Sequence, residues 1–345
     1  MAVEYRKLGS TGVSVSPLCL GAMMFGAWGN DDHEECARII HRALAAGVNF
    51  IDTADVYSRG ESEEIVGKAL ADGRREQVVL ATKVHGKMHD EDANQYGNSR
   101  RWIVKELENS LRRLKTDWID LYQIHRPEPD TDVDQTLSAL SDLVRAGKVR
   151  AIGSSTFPAA QIVEGQWVAE RRGHERFTCE QPPYSILTRA VEAEVLPTCQ
   201  RYGMGVIPWS PLAGGWLTGK YAEGGQSPSS SRRARMVPSR FDMTNPANQR
   251  KLEATHALEG LARDAGLPLI EMALAFVTGH PAVSAAIIGP RTIEQLSGQL
   301  PALERTLDPG VLDRIDEIVA PGVNVNPGDR GWEPPSLADP ALRRR

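Results

Sequence analysis

Four polar side chains stand where short apolar runs give out: Asp52 and Tyr57 after VNFID, Lys83 in VVLATK, and His125 closing IDLYQIH. A phenol with an ordinary pKa near ~10 is a reluctant proton donor at neutral pH. A nearby ammonium favours the phenolate and lowers that value, and a carboxylate beside the lysine holds the ammonium in place. Lys83 and Asp52 can take those two roles for Tyr57, while His125 can hydrogen-bond a substrate oxygen and orient it. This set would make the phenol a proton donor, which suits carbonyl reduction. Taken singly, each residue has a plainer reading: Tyr57 as packing, Lys83 as a solvated strand-end charge, His125 as a satisfied core histidine. All of them at strand ends of one sheet would form a site, because strand ends and the loops after them make the rim of the crevice in α/β proteins.

The elements that must bring them together are legible as an alternation. Eight strand candidates follow in order: SPLCLGA, VNFID, VVLATK, IDLYQIH, VRAIGSS, FTCEQ, MGVIPWS and SAAIIG. Apolar runs of this kind read as strands buried on both faces. Between them lie helical patterns, among them SRRWIVKELENSLRRLK, where Ile103, Leu107, Leu111 and Leu114 form one apolar stripe. Helices ending at Gly47, Gly73, Gly147 and Gly203 have the residue that a left-handed C-cap favours. Such alternation predicts a single-domain (β/α)8 TIM barrel over residues 1–320, with an open doubly wound sheet as its competitor. EYRKLGSTGVSVS predicts an N-terminal β-hairpin. Residues 216–247 read as a long loop too polar to pack, lying over the same rim. Residues 321–345, rich in proline, are expected to be an extended or mobile C-terminal tail.

Composition narrows the partners. The chain has 345 residues, 41% of them hydrophobic, and a net charge of -5, without the basic footprint of a nucleic-acid binder. No apolar run reaches the ~18 residues of a membrane helix, and MAVEYRKLGS has no apolar core of a secretory signal. Cys19, Cys36, Cys179 and Cys199 are scattered without a CxxC pair, so reduced structural thiols in the cytoplasm are expected. His85 and His89 are four apart, but they follow a strand in what reads as a loop, so no metal site is expected. That loop more naturally lines a substrate mouth with Met24, Trp28 and Tyr96, joined by Ser58 and Arg59.

DTADVYSRGESEEIVGKAL, TKV, DLYQIHRPEPDT, LVRAGKVRAIGSS, QPPYSIL and GVIPWSPLAGGWLTGKY together resemble the aldo-keto reductases, from about Tyr5 to about Leu300. The pattern is most similar to bacterial reductases related to the potassium-channel β subunits. The resemblance implies Tyr57 as general acid, Lys83 and Asp52 as its activating pair, and His125 as the residue that orients the carbonyl. It implies a nicotinamide cofactor lying extended across the barrel mouth, and no GxGxxG opens a helix after a strand to suggest a Rossmann site instead. It places Ser155 and Gln181 at the carboxamide, with Thr156 where the family usually has Asn, and Trp209 against the nicotinamide face. Ser210, Pro211, Leu212 and Gly214 would give close backbone approach to the pyrophosphate, with Lys220 and Arg240 as cations from the long loop. Gly289 ends a strand before Arg291 and a helix start, an arrangement suited to a 2′-phosphate and therefore to NADPH over NADH. Gln295 matches an adenosine contact, and Gln299 stands at a family Asn.

The expectation is NADPH-dependent reduction of small aldehydes or ketones. The alternative is an NADP(H)-binding regulatory subunit with slow or vestigial activity, and the direction of reaction stays open. The channel-related branch includes assemblies, so a homo-oligomer is also open.

Overall fold

A computed structural model describes residues 3–221 and 225–344. A short antiparallel hairpin, β1 (Arg6–Lys7) and β2 (Ser14–Val15), precedes the main sheet. The sheet contains β3 (Leu18–Gly21), β4 (Phe50–Asp52), β5 (Val79–Val84), β6 (Ile119–Ile124), β7 (Val149–Ser155), β8 (Phe177–Gln181), β9 (Gly205–Val206) and β10 (Ala286–Ile288). These eight strands are parallel and lie in chain order, with β10 returning beside β3. Ser284 N–H donates to the Val206 carbonyl at 2.8 Å and Ile287 N–H to Pro208 at 2.9 Å, which closes the sheet into a barrel. The fold is the (β/α)8 barrel that the alternation predicts. The expected seventh strand, MGVIPWS, is cut to two residues because Pro208 has no N–H to give a ladder.

Helices α1 (His33–Ala45), α2 (Glu61–Ala69), α3 (Arg100–Leu114), α4 (Val133–Arg145), α5 (Ala159–Arg172) and α6 (Val195–Arg201) follow the first six barrel strands. Asp32, Ser99 and Asp132 cap α1, α3 and α4 by accepting backbone N–H bonds in the first turn. The α3 stripe of Ile103, Leu107, Leu111 and Leu114 is buried against the sheet, as its spacing requires. The barrel interior is a separate small core of Cys19, Phe50, Ala81, Leu121, Cys179 and Ile207, joined by Leu8 and Val15 of the hairpin. The hairpin thus plugs the end of the barrel opposite the strand carboxyl ends. Gly9 has φ +53 there, and an added Cβ would stand 2.4 Å from Gly205 N, so no larger residue fits.

Beyond β9 come the short α7 (Arg232–Met236), then α8 (Pro246–Asp264) and α9 (Leu269–Gly279); after β10 come α10 (Ile293–Gln299) and α11 (Pro309–Ile318). The expectation that 216–247 is too polar to pack does not hold for its described part. Trp216 stacks on Phe241 with ring centroids 5.5 Å apart and touches Tyr221 at 5.3 Å, and all three are buried. A few aromatics spaced far apart anchor a segment whose average composition is polar.

The segment after 320 is also docked along part of its length. Val325 N–H bonds the Leu187 carbonyl, Asn326 donates to Asn248, and Asp329 pairs with buried Lys251 at 2.8 Å. Among the described residues no helix is long and apolar enough to cross a membrane.

Candidate active site

Asp52 ends β4, and Lys83 lies next to the end of β5, two neighbouring strands whose ladder fixes their spacing. Lys83 is wholly buried, and its ammonium donates to Asp52 Oδ2 at 2.5 Å, to the Thr53 carbonyl at 2.8 Å and to Tyr57 Oη at 3.2 Å. Those three bonds use all the donors an ammonium has. Tyr57 reaches this point from a tight turn in which Ser58 (φ 48) and Arg59 (φ 56) are left-handed, so the chain reverses just after the tyrosine. His125 directly follows β6, its N–H held by the Val84 carbonyl, and its ring meets the Tyr57 ring edge-on at 5.7 Å. The four residues named from the sequence are therefore brought together at the carboxyl ends of the strands.

Burial is the largest influence on the Tyr57 phenol and pushes its pKa above the ordinary value, with the Lys83 charge only partly offsetting it. This differs from the lowered pKa that an adjacent ammonium alone predicts, because desolvation of a phenolate outweighs one nearby cation here. Lys83 is drawn down by burial, but the Asp52 charge and the bonds to Asp52 and Tyr57 together carry it above the usual lysine range. His125 is held well below 6.5, first by burial and then by the charges of Arg126 and Lys83, so its ring is neutral at physiological pH.

Asp52 is fixed from its other side by Gln123, which the sequence reading passed over, and by Gln181, which it assigned to the cofactor carboxamide. Gln123 and Gln181 both donate to Asp52 Oδ1, at 3.1 and 2.9 Å, and Gln181 also donates to Gln123. Gln181 thus turns its amide N–H groups inward to the carboxylate. The signal for Gln123 was present: one amide amid the apolar residues of IDLYQI has to be satisfied inside the barrel. Arg126 was also missed. Its Nη1 donates to the His125 carbonyl at 2.6 Å and to the Thr156 hydroxyl at 3.2 Å, and its guanidinium lies 5.9 Å from the Trp209 ring centre.

The remaining expected residues lie at strand ends or in the segments that follow the strands. Ser155 Oγ donates to the Gln181 carbonyl at 2.9 Å, beside Thr156 at the end of β7. The Trp209 indole N–H is buried without a partner, as is Gln299 Oε1 in α10. Ser210, Ala213, Gly214 and Gly215 all have positive φ, so the backbone after Trp209 winds into a concave run of the kind that cradles anions. A Cβ on Gly215 would stand 2.8 Å from Lys220 Nζ, which places that ammonium over the run. Partial burial and then the charge of Arg291 lower the Lys220 pKa, so the two cations are neighbours.

Arg240 lies on the other side, 6.0 Å from the Trp209 ring centre and 3.4 Å from Asp329. Gln295 accepts from the Arg291 N–H at 2.9 Å, in the turn between Gly289 and α10. Trp28 is 6.0 Å from the Tyr57 ring, while Tyr96 is exposed and packs on His85. Met24 is half-buried in the loop after β3, where its carbonyl accepts from Asn30. His85 is buried on Asn98 and His89 is exposed, and among the described residues no acid, His or Cys cluster could hold a metal.

A closed parallel barrel with this polar set on its rim defines an oxidoreductase of the aldo/keto reductase family. The family's sequence model matches residues 17–320, and the chain belongs to it. An uncharacterized oxidoreductase, YrpG, of Bacillus subtilis (strain 168) is 39% identical over 97% of this chain and all of its own length. A probable voltage-gated potassium channel subunit beta of Oryza sativa subsp. japonica is 36% identical over 92% of this chain and 97% of that protein. Versiconal hemiacetal acetate reductase of Aspergillus parasiticus is 32% identical over 95% of this chain and the whole of that enzyme.

Proposed function

We propose that the protein reduces aldehydes or ketones to alcohols with NADPH, with Tyr57 as the general acid. The observation that carries this reading is the direction of one hydrogen bond. Lys83 can only donate, so Tyr57 Oη is the acceptor of their 3.2 Å bond. The phenol's own proton is then left to point outward, toward a carbonyl oxygen at the rim. As that proton leaves, the buried ammonium stabilises the developing phenolate, and Asp52 keeps the ammonium in place. Neutral His125, beside the Tyr57 ring, donates to the same carbonyl oxygen and aligns it.

A nicotinamide cofactor would supply the hydride to the carbonyl carbon. The residues present fit such a group: the left-handed positions at Ser210, Ala213, Gly214 and Gly215 with Lys220 and Arg291 suit phosphates, and the unpartnered Gln299 oxygen suits an adenine amine. Ser155, Thr156 and Trp209 would hold the nicotinamide end. Convergent cations at Lys220 and Arg291 favour NADPH. Four buried, unpaired cysteines agree with a reducing compartment, the cytoplasm.

Tyr57→Phe tests the assignment. It should abolish NADPH oxidation with an aldehyde panel and leave the dissociation constant for NADPH nearly unchanged; retained turnover would sink it. A regulatory role is the second reading, favoured by similarity to the rice channel subunit. It predicts NADPH uptake by the wild type without turnover on the same panel.

A further inference from the structure

The site holds one cation whose charge the reaction above does not need. Arg126 sits at the reacting end, next in the chain to His125, with its guanidinium against the Trp209 ring. Its Nη1 bonds reach only neutral oxygens: the His125 carbonyl at 2.6 Å, the Thr156 hydroxyl at 3.2 Å and the Ser155 hydroxyl at 3.5 Å. Among the described residues no carboxylate comes within salt-bridge distance of it. Glu180, the carboxylate whose charge it senses, is already engaged by the Ser154 hydroxyl and the Phe157 N–H. Arg240 approaches the same indole at 6.0 Å, and Arg233 lines the cleft between Trp209 and Asp329. Arg240 is answered by Asp329, but Arg126 has no such partner.

A half-buried guanidinium among like charges is costly unless an anion completes it. Dinucleotide phosphates would lie at the Ser210–Gly215 run near Lys220 and Arg291, so an anion beside His125 and Tyr57 belongs to the substrate. We propose that this enzyme is built for carbonyl compounds that carry a carboxylate, with Arg126 as the residue that binds it. The planar fork of Arg126 matches a carboxylate in two parallel bonds. This rests on the reductase reading of the preceding subsection.

Matched pairs test it: 4-oxobutanoate against butanal, and 4-carboxybenzaldehyde against benzaldehyde, with NADPH and the full chain. The wild type should favour each acid by about 10–100-fold in kcat/KM, mostly through KM, and added salt should shrink the ratio. Arg126→Gln should remove most of that ratio, and Arg126→Lys should restore part of it.

Equal kcat/KM for acid and neutral partner in the wild type would overturn the proposal. So would a ratio that survives Arg126→Gln while NADPH affinity falls, since Arg126 would then belong to the cofactor clamp. If Arg126→Gln fails to fold, the wild-type ratio and its salt dependence decide. If no aldehyde is reduced at all, the reductase reading fails separately. Binding of benzoate against benzamide to the NADP-loaded protein, followed by tryptophan fluorescence, then decides the anion site: tighter benzoate supports it and equal binding rejects it.

Discussion

Replacing Glu180 by Gln should remove a measurable slope from the dependence of stability on pH. Glu180 lies on β8, wholly buried, with the Ser154 hydroxyl and the Phe157 N–H on its carboxyl. Burial raises its pKa from 4.5 to about 7, and the bonds from Ser154 and Phe157 pull back only part of that. The sign follows from proton binding. Between 4.5 and about 7 the folded protein holds this proton and the unfolded chain does not, so stability falls as pH rises through that window.

At about 1.36 kcal/mol per pKa unit, the loss across the window is about 3 kcal/mol. Gln fills the same space and keeps one acceptor and a donor, but it cannot ionise. Urea denaturation followed by circular dichroism, at steps from about pH 5 to about pH 8, gives each stability by linear extrapolation. The wild type should lose about 2.5 kcal/mol more than Glu180→Gln over that range. Parallel profiles would refute the reasoning and would mean that Glu180 ionises in the native protein much as it does in water.

Three further outcomes are expected. Lys83→Met leaves Asp52 buried with only the Gln123 and Gln181 amides, so it should cost roughly 3–5 kcal/mol in denaturation and lower kcat by about a hundredfold or more. Asp329→Asn strips Lys251 and Arg240 of their shared carboxylate, at roughly 3 kcal/mol. It should also speed tryptic cleavage between residues 225 and 245, and an unchanged cleavage rate would show that the docked tail does not hold that loop. Trp216→Ala removes the stacked partner of Phe241 and should cost about 3–5 kcal/mol, read from the same denaturation curves.

Much of this was legible in the sequence, for physical reasons that differ by element. Runs such as IDLYQI and VLATKV declare buried strands because both faces need apolar side chains, and that regularity carried the barrel. Lys83, Asp52 and His125 could be named because each interrupts or ends such a run, and Tyr57 because it follows just past one. Gln123 and Arg126 were less visible, since an amide within a strand or an arginine after a histidine gains meaning only from what faces it across the barrel. The packing of 216–247 was hidden for another reason. Average polarity is blind to the pairing of Trp216 with Phe241, twenty-five residues apart in the chain. The docking of Asp329 on Lys251 joins still more distant segments, and no local pattern announces it.

The raised pKa of Tyr57 sharpens the account of Lys83. An acid that reduces carbonyls must arrive protonated, and burial secures that at any physiological pH. What burial makes difficult is the moment after transfer, when a phenolate must exist in the same dry place. A cation fixed 3.2 Å away acts most strongly at that moment, because its attraction is to the charge that appears there. Toward Tyr57, Lys83 therefore acts weakly in the resting protein and most strongly in the transition state. The chain has arranged this with permanent contacts: Asp52 and the Thr53 carbonyl hold two of the ammonium's three donors, leaving the third for the phenol oxygen. On this argument Lys83→Met should depress kcat far more than it weakens binding of either the nucleotide or the carbonyl compound. A variant that lost binding and kept its turnover rate would show that Lys83 serves the ground state instead.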